Sequence, residues 1–156
     1  ELRGGIALTE PDCGTDLQSI KTKALKNNQT YTINGSKTWI TNSVQGDVLA
    51  VLAKTNSEIT PPHKGMSLIL VEKKSGYVAK KLKKLGYRGI DTGEVQLDEI
   101  EVPLENLIGK EEGKGLRLWD GQNVPNLCEA CRPGCAWRGR RQQRCLAFGQ
   151  EMRVQM

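Results

Sequence analysis

Two short stretches of this sequence combine residue types that could hold a ligand. In the first, ALTEPDCGTD, an apolar run ends at Thr9, whose hydroxyl can donate and accept hydrogen bonds. Pro11 then restricts the backbone, and Gly14 has no side chain to keep a ligand away. In the second, TWITN, Trp39 offers a flat apolar face and Thr41 a second hydroxyl. Either stretch could also be an ordinary strand and turn. The secondary structure predicted around the two stretches is needed to choose between these interpretations.

The composition indicates a nearly neutral, aliphatic body followed by a basic tail. Apolar residues make up 37% of the chain and aromatic residues 4%, and no apolar run is long enough to span a membrane. Residues 1–116 carry 16 basic and 15 acidic side chains, whereas residues 117–156 carry 7 and 3. The neutral body argues against a nucleic-acid partner. An odd number of cysteines and no secretory signal pattern predict the bacterial cytoplasm or the mitochondrial matrix.

From residue 5 to about residue 102 the sequence predicts short strands. SIKTKALKN, TYTING and GEVQLDEIEVP alternate apolar and polar residues, whereas DVLAVLAKT and MSLILVEK are continuous apolar runs of strand length. YVAKKLKKLG fits a strand or a helix by spacing, and its strand neighbours favour an extended segment. We therefore predict a mainly β fold: an antiparallel β-sandwich or flattened barrel of seven to eight strands. A short, irregular or partly helical C-terminal segment would follow it.

Two local patterns make finer predictions. The Asn34-Gly35 pair is typical of a tight hairpin turn, which makes TWITN the returning strand. In GEVQLDEIEVP, strict alternation places Val95 and Leu97 on one face of the strand and Ile100 on the other.

Three motifs together resemble the middle β domain of the acyl-CoA dehydrogenase family. They are LTEPDCGTD, NGSKTWITN and GEVQLDEIEVPLENLIG, in this order. The resemblance covers residues 1 to about 116. It implies a middle β domain over residues 1–106 and a remnant of the family's C-terminal helical domain over residues 107–156.

The resemblance also implies a chemistry and a set of partners. In this family FAD supplies the α,β-dehydrogenation of an acyl-CoA thioester, with hydride transfer to the flavin N5. The electrons would then pass to an electron-transferring flavoprotein, and the full-length enzyme would be a homo-oligomer. The function expected for this chain is therefore that of a segment of such an enzyme, contributing contacts to FAD and to acyl-CoA.

The same resemblance implies which residues hold FAD. The first motif would meet the pyrimidine edge of the flavin and the pyrophosphate, with Thr15 also near acyl-CoA. In the second, Trp39 would pack against the ring and Thr41 would donate a hydrogen bond to N5. Asp12 is unfavourable near phosphates unless it points to solvent. The predicted FAD-binding residues are Ile6, Leu8, Thr9, Gly14, Thr15, Trp39, Ile40 and Thr41.

Each of these residues also has a purely structural interpretation. Thr9, Trp39 and Thr41 could simply be strand and core residues. We interpret Cys13 as a small buried hydrophobe and not as a nucleophile, because no His lies near it in the sequence. The lysines of residues 80–84 either form a solvated face or meet CoA phosphates.

The tail differs in composition from the body. Residues 117–156 contain 7 Arg and no Lys, and helical periodicity is lost between LWDG and LAFGQEMRVQM, which resemble parts of the family's helical domain. We hypothesise that residues from about 122 to 145 are frameshifted, and an intact single reading frame in the nucleotide sequence would contradict this. The alternative is a metal site formed by the four cysteines of the tail, whose spacing fits no familiar zinc ribbon; they are Cys128, Cys131, Cys135 and Cys145.

No residue of the chain matches the family's catalytic carboxylate. We therefore predict no catalytic residue here and expect the chain to be inactive by itself. The alternative is a non-enzymatic β domain that acts as a flavin- or acyl-CoA-binding or interaction module. A helical, Glu-bearing continuation of the gene would favour the enzyme, and true chain ends would favour the module.

Overall fold

The alternating and continuous apolar segments form strands, as predicted. The computed structural model describes residues 3–74 and 76–119. Within these ranges the chain forms seven strands and one short α-helix, and none of its helices is long and apolar enough to cross a membrane. The elements are β1 (Gly4–Ala7), β2 (Lys23–Lys26), β3 (Thr30–Thr41), β4 (Val48–Lys54), β5 (Met66–Glu72), β6 (Tyr77–Lys81), β7 (Thr92–Pro103) and α1 (Gly115–Trp119).

The seven described strands form one curled, mixed sheet. Neighbouring strands follow the order β1-β4-β2-β3-β7-β6, and β5 pairs with β4 outside this path. The mainly β fold with seven strands is thus confirmed, and so is the extended form of β6. The expectation of purely antiparallel pairing needs a correction, because β1 and β2 both run parallel to β4. Only a hairpin connection forces antiparallel pairing, and long connections separate β4 from both strands.

The core lies on both faces of β4 and β5. Both strands are buried along nearly their whole length, as their continuous apolar runs predicted. One group of buried side chains joins them to β3 and β7 and includes Ile33 and Leu97. The other includes Ile20, Met66 and Ile108. The half-buried Ile6 and Leu8 pack against this second group, so the predicted site borders it.

The predicted hairpin at Asn34-Gly35 is wrong, because β3 continues through both residues. A Cβ added to Gly35 would lie 2.4 Å from the Oγ1 atom and 2.7 Å from the Cα atom of Thr22. The glycine therefore allows β3 to lie close to the segment that leads into β2. The Asn34 side chain accepts a hydrogen bond from the Glu99 backbone N–H, at 2.8 Å. Close packing and side-chain bonding with other parts of the chain outweigh the local turn preference.

The predicted alternation in β7 is wrong at Ile100. Glu99 has a positive φ of 48°, and the pairing with β3 shifts by one residue between Leu97 and Ile100. This β-bulge changes the phase of the alternation. Ile100 is consequently buried in the same core group as Val95 and Leu97.

The segment that leaves the sheet before α1 is held at two points. The Glu112 carboxylate accepts hydrogen bonds from the Tyr31 hydroxyl, at 2.6 Å, and from the Lys26 ammonium, at 2.8 Å. The Gly113 N–H donates to the Ser67 hydroxyl at 3.0 Å. Gly113 has a φ of 78°, and a Cβ there would lie 2.1 Å from the Lys64 carbonyl oxygen. The exit from the sheet is therefore closely packed against the sheet itself.

Substitution of Gly35 tests the close approach of β3 to Thr22. We expect Gly35→Ala to reduce the free energy of unfolding by about 1–3 kcal/mol, because the added methyl group would overlap backbone and side-chain atoms of Thr22. Urea denaturation measures the loss. Gly89→Ala is the matched control, since no atom lies within 4 Å of a Cβ at that position. Equal stability of the two variants would contradict the prediction.

Candidate functional site

The two stretches singled out in the sequence lie side by side. The Thr38 N–H donates to the Thr9 carbonyl at 3.0 Å, and the Asn42 side-chain amide donates to the Gly4 carbonyl at 2.7 Å. A Cβ on Gly5 would lie 2.2 Å from the Thr41 carbonyl oxygen. The fold therefore brings β1 and the residues that follow it against the last residues of β3.

A buried ion pair connects these two segments. The Lys37 ammonium lies 2.9 Å from a Glu10 carboxylate oxygen, and the two side chains are 0% and 4% exposed. The same ammonium donates to the Leu8 carbonyl at 2.9 Å. Lys37 thus extends from β3 to the chain on both sides of Thr9.

The Glu10 carboxylate has further hydrogen bonds that offset the cost of its burial. It accepts the backbone N–H groups of Lys21, at 2.6 Å, and Thr22, at 3.0 Å. Burial alone raises the pKa of Glu10, but the contacts with Thr22, Lys21 and Lys37 together bring the pKa below its ordinary value of 4.5. Burial lowers the pKa of Lys37, and the negative charge of Glu10 partly offsets this effect.

Trp39 is exposed because β3 contains a second irregularity. The pairing of β3 with β7 shifts between Lys37 and Ile40, and Trp39 has a positive φ of 59°. Such a backbone is rare and strained for a bulky residue, and strain of this kind concentrates at functional sites. The Trp39 side chain is 61% exposed, whereas Ile40 is buried in the core. Only the backbone of Ile40 is therefore available to a ligand.

The remaining polar residues of the predicted site add three hydroxyl groups and one glycine to the same region. Thr15 and Thr41 are exposed, and Thr9 is half-buried. A Cβ on Gly14 would meet only the Thr9 methyl group, at 3.7 Å, so packing among the described residues does not require a glycine there. Open space at Gly14 is what a close ligand needs. The two sides of the region therefore combine an exposed indole with polar hydrogen-bonding groups.

Asp12 and Cys13 lie in the turn of the first motif, between Thr9 and Gly14. Asp12 forms an exposed ion pair with Lys21, at 2.6 Å, which lowers the pKa of the Asp12 carboxyl. Cys13 is half-buried and packs against the second core group. Burial is the main cause that raises the pKa of its thiol, which fits its interpretation as a hydrophobe and not a nucleophile.

The other candidate residues contribute less to this region. Lys84 donates to the Ile90 carbonyl at 2.9 Å and to the Thr92 hydroxyl at 2.8 Å, so it stabilises its own loop. Residues 3–74 and 76–119 contain no cluster of three or more His, Cys, Asp or Glu side chains that could hold a metal ion. The cysteines considered for a metal site, and the hypothetical frameshift, lie outside the described residues.

Comparison with known proteins identifies the family. Residues 5–100 match the sequence profile of the acyl-CoA dehydrogenase middle domain. The chain belongs to the acyl-CoA dehydrogenase family. It is 39% identical over 135 residues to mitochondrial isovaleryl-CoA dehydrogenase of Pongo abelii, which covers 85% of this chain and 32% of that protein. The chain thus spans about a third of this curated relative.

Solved acyl-CoA dehydrogenases share the fold. The enzyme from Geobacillus kaustophilus superposes with a TM-score of 0.74 at 31% identity, over 98% of this chain and 47% of that one. A glutaryl-CoA dehydrogenase from Mycobacterium smegmatis, in complex with FADH2, superposes with a TM-score of 0.64 at 29% identity. That match covers 84% of this chain and 31% of the relative.

Sequence reasoning missed the two charged residues that hold this acyl-CoA dehydrogenase domain together at the site. Glu10 and Lys37 are far apart in the sequence, and charged side chains are usually expected at the surface. The available signal was weak. Lys37 lies between the two strand segments TYTING and TWITN. Only the folded chain brings the two residues together.

Removal of the Glu10 charge should destabilise this acyl-CoA dehydrogenase domain. Glu10→Gln leaves the buried Lys37 ammonium without a negative partner. The amide nitrogen of the new glutamine also cannot accept the hydrogen bond from the Lys21 N–H. We expect a loss of about 3–5 kcal/mol in the free energy of unfolding, measured by urea denaturation. Asp12→Asn, which removes the exposed pair with Lys21, is the control and should leave the denaturation midpoint almost unchanged.

The same pair should make stability depend on acid pH. Because the pKa of folded Glu10 lies below 4.5, its contribution is complete above that value and is lost as the pH falls through the folded pKa. Lys37 remains protonated in this range, and the Cys13 thiol remains neutral. The difference in unfolding free energy between the unsubstituted chain and Glu10→Gln should therefore shrink below pH 4.5. A difference that stays constant down to acid pH would contradict this prediction.

Proposed function

We propose that this chain is a flavin-holding segment of an acyl-CoA dehydrogenase. In this proposal it binds FAD where the end of β1 and the end of β3 meet, and an acyl-CoA thioester is the substrate. One observation carries the proposal: the Thr38–Thr9 hydrogen bond of 3.0 Å joins the two motifs beside an exposed, backbone-strained Trp39. FAD, when bound, supplies the redox chemistry of the dehydrogenation. FADH2 in a solved relative supports the choice of cofactor.

The chemistry of the available groups fits FAD. An exposed indole suits the apolar face of the isoalloxazine, and threonine hydroxyls suit its polar edge. Space over Gly14, beside the exposed Thr15, suits the pyrophosphate and the nearby acyl-CoA. In this proposal the residues that hold FAD are Ile6, Leu8, Thr9, Gly14, Thr15, Trp39, Ile40 and Thr41, with Ile40 contributing backbone only and Thr15 also meeting the substrate.

The wider assignments rest on the relatives. We propose residues 1–106 as the middle β domain and residues 107–156 as part of the helical domain that follows it in the family. A complete enzyme would pass electrons to an electron-transferring flavoprotein and would assemble as a homo-oligomer. Mitochondrial relatives support the mitochondrial matrix, and a bacterial relative supports the bacterial cytoplasm. The chain has no candidate for the carboxylate base, so we propose that it is inactive alone.

Truncation of Trp39 tests the flavin site. We expect Trp39→Ala to weaken FAD binding about tenfold, because stacking of two aromatic systems and the associated apolar burial are lost. Titration of the chain with FAD, followed by flavin fluorescence, measures the dissociation constant. Leu25→Ala is the matched control, because Leu25 is 60% exposed, nearly the same as Trp39, but lies on β2.

Two results would contradict the proposal. One is an unsubstituted chain that is well folded and does not bind FAD. The other is equal FAD affinity of the unsubstituted chain and Trp39→Ala, which would remove Trp39 from the site. A loss of affinity in Leu25→Ala as large as that in Trp39→Ala would point to a general effect of surface truncation.

A further inference from the structure

The turn that follows β3 begins directly after Thr41, so its conformation determines where β3 ends. Asn42, the first residue of this turn, has a positive φ of 59°. The Gly46 N–H donates to the Asn42 carbonyl at 2.8 Å and closes the turn. A Cβ on Gly46 would lie 2.3 Å from that same carbonyl oxygen. The turn is therefore tight, and it needs partners for the backbone groups between these two residues.

Asp91, the residue directly before β7, supplies those partners. One oxygen of its carboxylate, Oδ2, accepts the N–H of Val44 at 2.8 Å and the N–H of Gln45 at 2.7 Å. Its backbone carbonyl accepts the N–H of Asn42 at 2.9 Å. The Asp91 residue is only 5% exposed. A single buried residue thus binds three backbone N–H groups of the turn.

Two other contacts hold the same turn from β6 and β1. The Tyr77 hydroxyl donates to the Ser43 carbonyl at 2.7 Å, and the Asn42 side chain donates to the Gly4 carbonyl at 2.7 Å. Burial, with a smaller effect of the Asp91 charge, raises the pKa of the Tyr77 hydroxyl, so it remains a donor at neutral pH. The turn is therefore bonded to β6, to β1 and to Asp91, the residue directly before β7.

Asp91 is also linked through the sheet to the proposed flavin residues. Thr92, the next residue, pairs with Thr41, and Gly93 pairs with Ile40. A displacement of Asp91 would therefore move the partners of the last two residues of β3. Trp39 directly precedes them, with a strained backbone that only surrounding contacts can maintain.

We propose that Asp91 is a positioning residue of the flavin site: its carboxylate holds the turn after β3 and thereby places Thr41 and Trp39 against the flavin. The inference rests on the proposed function, since it assumes that FAD binds at this end of β3. Asp91 itself does not contact the cofactor in this proposal. It acts through the backbone that carries the contacting side chains.

The geometry predicts that the hydrogen-bond acceptor of the Asp91 side chain, and not its negative charge, holds the turn. The second carboxylate oxygen of Asp91, Oδ1, has no hydrogen-bond partner among the described residues. In Asp91→Asn the amide oxygen can take the place of Oδ2, and the amide nitrogen can take the place of Oδ1 without losing a bond. Asp91→Ala removes the acceptor and leaves the N–H groups of Val44 and Gln45 without a partner.

The experiment compares these two variants with the unsubstituted chain in two measurements. Amide hydrogen exchange, followed by NMR without FAD, should be about tenfold faster at Val44 and Gln45 in Asp91→Ala, because each N–H loses a bond to a carboxylate. FAD affinity, measured by flavin fluorescence, should fall about tenfold in the same variant. For Asp91→Asn, the exchange rates at Val44 and Gln45 and the FAD affinity should both lie within about threefold of the values for the unsubstituted chain.

A second buried polar residue controls for a general loss of stability. The Asn106 side chain donates to the Leu70 carbonyl at 2.9 Å and is 6% exposed, but it contacts β5 and not the turn. Asn106→Ala should lower the denaturation midpoint without changing FAD affinity. If Asp91→Ala does not fold, Asp91→Glu replaces it, because the longer side chain displaces the acceptor, and we expect weaker FAD binding there too.

The possible failures can be told apart. The inference is overturned if Asp91→Ala binds FAD as tightly as the unsubstituted chain. It is also overturned if Asp91→Asn loses as much affinity as Asp91→Ala, or if Asn106→Ala loses as much. A folded, unsubstituted chain that does not bind FAD overturns the proposed function and the flavin part of this inference, and the exchange measurement then still reports whether Asp91 holds the turn.

Discussion

The buried pair of Glu10 and Lys37 is the interaction on which the geometry of this site depends. It adds a charge–charge contact to the hydrogen bonds and the close packing that also connect β1 with the last residues of β3. The pair is favourable because each charge has further partners: Glu10 accepts two backbone N–H groups, and Lys37 donates to the Leu8 carbonyl. Two charges removed from water thus define how the two segments lie relative to each other.

The pair also explains how an aromatic side chain can remain exposed between two buried residues of β3, Thr38 and Ile40. Lys37 and Ile40 both point into the protein, and the irregularity between them turns Trp39 outward. A positive φ at a tryptophan is unfavourable in isolation. It persists because residues on both sides are anchored, one by the ion pair and the other by the core. Burial of Lys37 and Ile40 therefore offsets the unfavourable backbone energy at Trp39.

Sequence reasoning predicted the strands well, because periodic apolar patterns reflect local burial. The long apolar runs of β4 and β5 are buried as expected. It failed where distant residues decide the conformation. Asn34-Gly35 has the local signal of a hairpin, but the approach of Thr22 and the bond to Glu99 keep the strand extended. The β-bulge at Glu99 in β7 likewise reversed the expected orientation of Ile100.

The same limit applies to the candidate site. Thr9, Trp39 and Thr41 were chosen by residue type and motif, and the fold brings them into one region. The residues that support them could not be recognised in this way, because a carboxylate such as Asp91 or Glu10 has no distinctive neighbours in the sequence. Its role depends on backbone groups that only the folded chain brings near it.

The packed exit from the sheet limits where this protein can bend. Rotation of the backbone around Gly113 would break its bond to Ser67 and would separate Glu112 from Tyr31 and Lys26. A flexible joint between two bodies needs a segment with few such contacts. The stretch before α1 therefore lacks the sparse contacts of a hinge, and bending there would break these hydrogen bonds. Because Ser67 lies in β5 and Tyr31 lies in β3, a displacement of α1 would strain its connections to both strands.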